Sequence, residues 1–235
     1  MEGGRIRTFF LAFAASAALA SPATAATRNF GVESFTKIRV DGPYKVTVLS
    51  GIAPFAKASG SPVAIDRVAI DVRGDTLLVH SNPSWGGYPG VDPGPVEVSI
   101  GTHDLESVSV TGAGSVAINR AKGLRFALSI QGSGLGSIAD VQVDQLSVNL
   151  AGTASARLAG HSGKVTALVR GLSALDAGRL SAQTAELSAD GTATIEATVT
   201  DTARVSAWGP ATIRLGGRPT CDLKVTGSAA VSGCR

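Results

Sequence analysis

Histidine, cysteine, aromatic residues and long apolar runs are all scarce in this 235-residue chain. The three histidines, His80, His103 and His161, share no metal-ligand spacing and no Cys or acidic cluster joins them, so no metal centre is expected. Lys and Arg exceed Asp and Glu by only 21 to 18 and form no run. Removing Glu2, Arg5 and Arg7 with the first 25 residues lowers the formal charge from +3 to +2, which makes nucleic acid a poor partner. No apolar stripe of period 3.6 stands out, so long helices are not expected. After Phe9–Ala20 no stretch is apolar enough for a membrane helix, and those twelve residues are too few to span a bilayer.

The first residues have a purpose of their own. Arg5 and Arg7 precede the apolar run, and Ala23 and Ala25 follow it as an Ala-x-Ala site. This is the layout of a secretory signal peptide, residues 1–25, with cleavage after Ala25 or one position later. No cysteine stands directly after the run, in "SPATAATRNF", so a lipoprotein anchor is not expected. The chain is therefore expected in the periplasm or at the cell surface. Its two cysteines, Cys221 and Cys234, can pair in an oxidising compartment.

What the chain has in abundance is glycine, alanine and alternation of period two. The segments "VSVTGAGSVAI", "LSIQGSGLGSI", "VNLAGTASARL", "ALVRGLSALDA", "LSADGTATIEA", "VSAWGPATIRL" and "LKVTGSAAVSG" align on Gly112, Gly132, Gly152, Gly171, Gly191, Gly209 and Gly227. Successive glycines lie 20, 20, 19, 20, 18 and 18 residues apart, and "IRVDGPYKV" around Gly42 reads as a degenerate earlier copy. A period near 20 is too short for a helix pair or a propeller blade. At about 3.3 Å per residue, twenty residues trace roughly 65 Å, a fitting perimeter for one coil of two or three strands. One coil cannot bury its apolar row, whereas a stack can.

The columns of this alignment carry the geometry. Four and two residues before each glycine the side chains are apolar or small, as in Val108/Val110, Leu128/Ile130 and Leu223/Val225. Two after it sit Gly114, Gly134, Ala154, Ser173, Ala193, Ala211 and Ala229, a column of tiny residues suited to a close approach of two walls. The shared glycine has inward parity and is expected at a bend. Five after it, Arg157, Asp176, Glu196 and Arg214 should form an outward ladder of alternating pairs. Cys221 and Cys234 lie six before and seven after Gly227. Fully extended, that span is about 43 Å, so a bend at Gly227 must fold the arms together if the two are to bridge.

The glycine-rich "QGSGLGS" is thus one copy of an architectural repeat. A phosphate loop would need a Lys and a following helix, and neither is present. A calcium roll would need a GGxGxD nonapeptide, also absent.

At this point the chain resembles the putative auto-transporter adhesin head GIN domain family of secreted bacterial proteins. The residues that carry the likeness are "RNFGVESFTKIRVDGPYKVTVLSG", "DTLLVHS" and "PVEVSIGTHDLESVSVTGAGSV". The resemblance implies a right-handed parallel β-solenoid in the bacterial envelope, and it brings no catalytic residues.

Few residues qualify as a site. "SNPSWGGYPGVDPGPV", Ser81 to Val96, reads as a loop with Trp85 and Tyr88 inside it. Those two rings are the ligand-binding candidates, as a platform for a sugar face. The plainer reading folds both back over the solenoid. Trp208 falls on an outward column beside Gly209. Asp66, Asp71 and Asp75 lie close together, but the last two flank the turn "VRGD", where Asp and Gly serve hairpin geometry.

The expectation is an all-β chain. Residues 26–81 form N-terminal strands and a hairpin, 82–95 a Pro/Gly loop, and 96–235 seven glycine-marked coils. The expected role is a non-enzymatic, adhesin-like or structural module without cofactor, its partner a carbohydrate or an envelope protein. The alternative is a polysaccharide lyase or hydrolase, the latter recognisable by two carboxylates about 5–9.5 Å apart in a groove.

Overall fold

The computed structural model describes residues 26–82 and 94–235. The expected signal peptide, and Trp85 and Tyr88 in the Pro/Gly loop, lie outside the described residues. Strands come first as β1 (Ala26–Phe30), β2 (Lys37–Asp41), β3 (Lys45–Ser50) and β4 (Phe55–Gly60), then the short helix α1 (Pro62–Asp66). β5 (Val68–Arg73), β6 (Thr76–Ser81), β7 (Glu97–Thr102) and β8 (Ser107–Gly112) follow. Next come the long strands β9 (Ser115–Gly132), β10 (Leu135–Gly152), β11 (Ser155–Gly171), β12 (Ala174–Asp190) and β13 (Thr194–Trp208). β14 (Thr212–Gly216), β15 (Thr220–Thr226) and β16 (Ala230–Ser232) complete the chain.

Each long strand is one coil of a parallel β-solenoid, bent so that it contributes to three walls. The first wall holds segments such as Ser115–Ile118, stacked in register on Leu135–Ile138. A narrow second wall stacks Ala121, Val141, Gly160 and Leu180. The register slips at Ile138/Val141, at Arg157/Ala159 and at Ala177/Ser181, which marks the corner between these two walls. The third wall runs up to the glycine, in the order β5-β6-β2-β8-β9-β10-β11-β12-β13-β15. The seven aligned glycines enclose six intervals, and the stack has about six coils of roughly 20 residues.

Alternation explains the core. In β10, Leu146, Val148 and Leu150 point inward and are buried, and the same holds for Phe126, Leu128 and Ile130 in β9. Burying each such apolar side chain is worth about 1.5–3 kcal/mol, a gain available only when neighbouring coils cover it. Where one coil departs from the pattern, its neighbours compensate. Gly136 stands in the column of Val116 and Ala156, and a Cβ there would meet Ile130 Cδ1 at 2.7 Å, so the isoleucine fills the space.

The glycine column stands at the corner that ends the third wall. Gly112, Gly132 and Gly152 pair in register, as do Gly152 and Gly171. Gly191, Gly209 and Gly227 each lie against the preceding glycine. Gly42 begins the column beneath Gly112. All eight have φ between +79° and +128°, a region that L side chains rarely adopt. Contrary to the inward parity read from sequence, these corners are exposed or half-buried. The missing side chain serves the turn and the approach of the next coil, not the core. Two residues on, the tiny column is buried from Gly114 to Ala211 and half-buried at Ala229, and it carries its own ladder: Leu135, Ser155 and Ala174 N–H donate to Gly114, Gly134 and Ala154 C=O at 2.9–3.1 Å.

The N-terminal segment is less separate than the sequence suggests. β2 already pairs in parallel with β8, and β3 with β7 and β9, so the stack begins there. Among the described residues only β1, β4 and β5 run antiparallel to their neighbours. Helix α1 supplies buried Ala64 and Ile65 at this end, its start capped by Ser61 Oγ accepting the Ala64 N–H at 3.1 Å. At the other end Cys221 and Cys234 are bridged across 5.7 Å between Cα atoms, with the chain bent at Gly227 (φ +87°) between β15 and β16.

Candidate functional site

The third wall presents a regular surface, with a depression of about 680 Å³ beside β8–β10 whose lining includes Lys37, Asp104, Glu106, Arg125, Ala127 and Ser147. Its central outward column, from β2 to β15, reads Arg39, Ser109, Ser129, Asn149, Leu168, Ser188, Ser206 and Lys224. The adjoining column reads Ser107, Ala127, Ser147, Thr166, Glu186, Arg204 and Asp222. Short side chains on neighbouring strands, about 4.8 Å apart, leave hydroxyl and amide groups level with one another. Over β8 to β10 these two columns are free of charge, and Gln131 in β9 extends the patch. Charge flanks this patch on both sides, at Arg39 in β2 and from β11 onward, where Lys164 meets Glu186 at 3.5 Å and Arg204 meets Asp222 at 3.1 Å. Trp208 stands at the edge of this wall, between Asp190 and Thr226, with 38 % of its surface exposed.

The first wall carries a shallow depression of about 400 Å³. Its floor is made by Ala117 and Ser137, and exposed Leu135 stands in it. The cations at its rim are already occupied, Lys45 by Glu97 at 2.6 Å and Arg157 by Asp176 at 3.1 Å. The expected charge ladder is in register, Arg157 beside Asp176, Asp176 beside Glu196, Glu196 beside Arg214. Only its first pair closes to an ion pair among the described residues.

The acids that sequence reading grouped together are each held by a separate base. Arg28 binds Asp66 at 2.6 Å, His80 Nε2 lies 2.9 Å from Asp71, and Lys37 donates to Asp75 at 2.7 Å. That last bond, with a second from Thr76, holds the Asp75 carboxyl below the ordinary carboxylate range. The same partner raises Lys37 above the usual lysine value. No group of three or more His, Cys, Asp or Glu able to hold a metal is found among the described residues. No helix among them is long and apolar enough to cross a membrane.

Sequence reading singled out the glycines, the cysteines and Trp208, but not the serine column three residues before each glycine. That column was legible in the alignment as an outward row of small polar residues. Leu135 was equally visible as a leucine at outward parity. Both are ordinary surface positions until the register brings them side by side.

A family model described as "Putative auto-transporter adhesin, head GIN domain" matches residues 34–219. No curated protein matches the chain. Among solved structures, a putative adhesin from Bacteroides fragilis is similar over 88 % of this chain and 96 % of its own, with a TM-score of 0.79 and 21 % identity. A putative lipid binding protein from Parabacteroides distasonis covers 88 % and 95 %, with a TM-score of 0.72 and 19 % identity. A putative adhesin from Parabacteroides merdae covers 88 % and 95 %, with a TM-score of 0.63 and 18 % identity. At these identities the likeness speaks for the fold.

Proposed function

Because the chain belongs to the putative auto-transporter adhesin, head GIN domain family, we propose that it is an exported, non-enzymatic binding module of the bacterial envelope. It acts through the third wall. The observation that carries this reading is the charge-free run of Ser107, Ser109, Ser129, Ser147 and Asn149 over adjacent coils. Such a surface offers hydrogen-bond donors and acceptors at a fixed repeat and no activated nucleophile. A carbohydrate chain, itself a row of hydroxyls with apolar ring faces, fits it best, and Trp208 supplies a ring on which a sugar can stack. Another envelope protein is the remaining class of partner.

Export rests on the signal-peptide layout of residues 1–25 and is in keeping with the Cys221–Cys234 bridge. With no cysteine directly after the apolar run, the mature chain is read as lacking a lipid anchor there. The hydrolase alternative would need two carboxylates free to act across a groove. Asp66, Asp71, Asp75, Glu97, Asp176 and Asp222 are each engaged by a basic side chain. Asp104 and Glu106, by contrast, line the depression beside the third wall without an ion pair among the described residues, so the release of sugar decides between the two readings.

The test is a panel of envelope polysaccharides presented to the purified chain, with bound protein and released sugar read together. Retention of the chain on one polymer class without release of shorter products is the expected result. Release of reducing or unsaturated ends would overturn the non-enzymatic reading. Trp85→Ala and Tyr88→Ala measured alongside decide whether the loop rings contribute. Equal binding by both variants would remove them from the site.

A further inference from the structure

The two ends of the solenoid differ. At the N-terminal end Val68 and Ile70, the inward residues of β5, are buried, and α1 packs with them. At the C-terminal end the inward residues of β15 are not covered: Leu223 is 46 % and Val225 42 % exposed, although they stack on Val205 and Ala207, which are fully buried. Among the described residues β15 pairs with β13 alone, so one side of it is open.

The open side has a defined hydrogen-bonding phase. Thr226 C=O accepts the Gly209 N–H at 3.2 Å, so even-numbered residues of β15 aim their backbone toward β13. Cys221, Leu223 and Val225 therefore aim N–H and C=O outward. Arg235, whose N–H donates to Pro219 C=O at 3.2 Å, marks where the free edge starts.

We propose that this end docks a second copy of the chain, β15 pairing antiparallel with the partner's β15 about a two-fold axis through Leu223. In that register Leu223 faces the partner's Leu223 as a hydrogen-bonded pair, and Cys221 faces the partner's Val225. The apolar inward residues then cover one another. On the outer face Asp222 stands opposite the partner's Lys224, and Lys224 opposite the partner's Asp222. Asp222 is already held by Arg204 at 3.1 Å, whereas Lys224 has no ion-pair partner among the described residues. Shifting the register by one hydrogen-bonded step either way sets Asp222 against itself or Lys224 against itself. The charges therefore select one pairing. The interface is isologous and closes at two copies, and it joins the two third walls into one surface of double length.

The experiment is sedimentation of the purified chain with two charge variants. The chain should dimerise below about 100 μM. Asp222→Lys and Lys224→Asp, both at exposed positions, should each weaken self-association about tenfold or more, since each makes both cross-strand pairs repulsive. Mixing the two variants one to one should restore the dimer, because every pair is then opposite in charge. Any of four results overturns the proposal: a chain monomeric at that concentration, a variant that dimerises as well as the parent, a mixture that stays monomeric, or assembly beyond two copies.

Discussion

Replacing Gly152 by alanine should destabilise the solenoid by about 3 kcal/mol, a cost with two sources that a second variant separates. Gly152 has φ +101°, outside the conformations that residues with a Cβ ordinarily adopt. Holding an alanine there costs about 1–3 kcal/mol. The added Cβ would also lie 2.6 Å from the carbonyl oxygen of Gly132 in the preceding coil. Backbone cannot swing aside as a side-chain tip can, so the two corners must part. That oxygen accepts the Thr153 N–H at 2.8 Å, and loosening the bond forfeits about 0.5–1.5 kcal/mol more. Gly74 provides the comparison, with φ +61° and nothing within 4 Å of an added Cβ, so Gly74→Ala carries strain alone, about 1–2 kcal/mol. Urea midpoints measure the difference, with amide exchange alongside because a solenoid can open coil by coil. Faster exchange in β10 and β11 of Gly152→Ala should accompany the lower midpoint. If Gly152→Ala were no more destabilising than Gly74→Ala, close stacking of the corners would not be what requires glycine.

Reduction of the Cys221–Cys234 bridge, which closes a span of 13 residues, should cost about 3 kcal/mol. The loss should appear first as faster amide exchange in β15 and β16, and unchanged exchange there would show that the bridge does not hold the last coil. The Lys37–Asp75 pair adds a weak pH dependence, small because both groups are exposed. Asp75 is lowered, so its contribution is present above the ordinary Asp pKa and fades as pH falls through the folded value. Lys37 is raised, so its contribution is full below the ordinary Lys pKa and fades as pH rises through the folded value. An NMR titration should find the Asp75 carboxyl below the usual range, and Lys37→Ala should raise it toward that range, with the Thr76 bond still in place. An Asp75 pKa that does not respond to Lys37→Ala would refute the pairing.

Much of the stack was legible in the sequence because each coil repeats the same constraint. A glycine is needed wherever φ is positive beside the coil below, and inward positions must be apolar, so seven copies agree. Gly42 was visible as a weaker copy for the same reason. The N-terminal strands were harder to place, because β1, β4 and β5 run antiparallel to their neighbours and each occurs once. Gly136 and Gly160 also break their inward columns, since Ile130 fills the space beside the first and Val141 backbone leaves no room for a Cβ on the second. The binding surface was the least legible part. Ser109, Ser129 and Ser188 are unremarkable one at a time, and only register turns them into a wall.

The most direct test of that wall compares two arginine variants at equivalent outward positions, Ser129→Arg on the third wall and Ser137→Arg on the first. Both are read for retention on whichever envelope polymer holds the parent chain. Loss of retention by Ser129→Arg with Ser137→Arg unaffected is the predicted result. Retention that survives Ser129→Arg would contradict the assignment of the third wall as the binding surface.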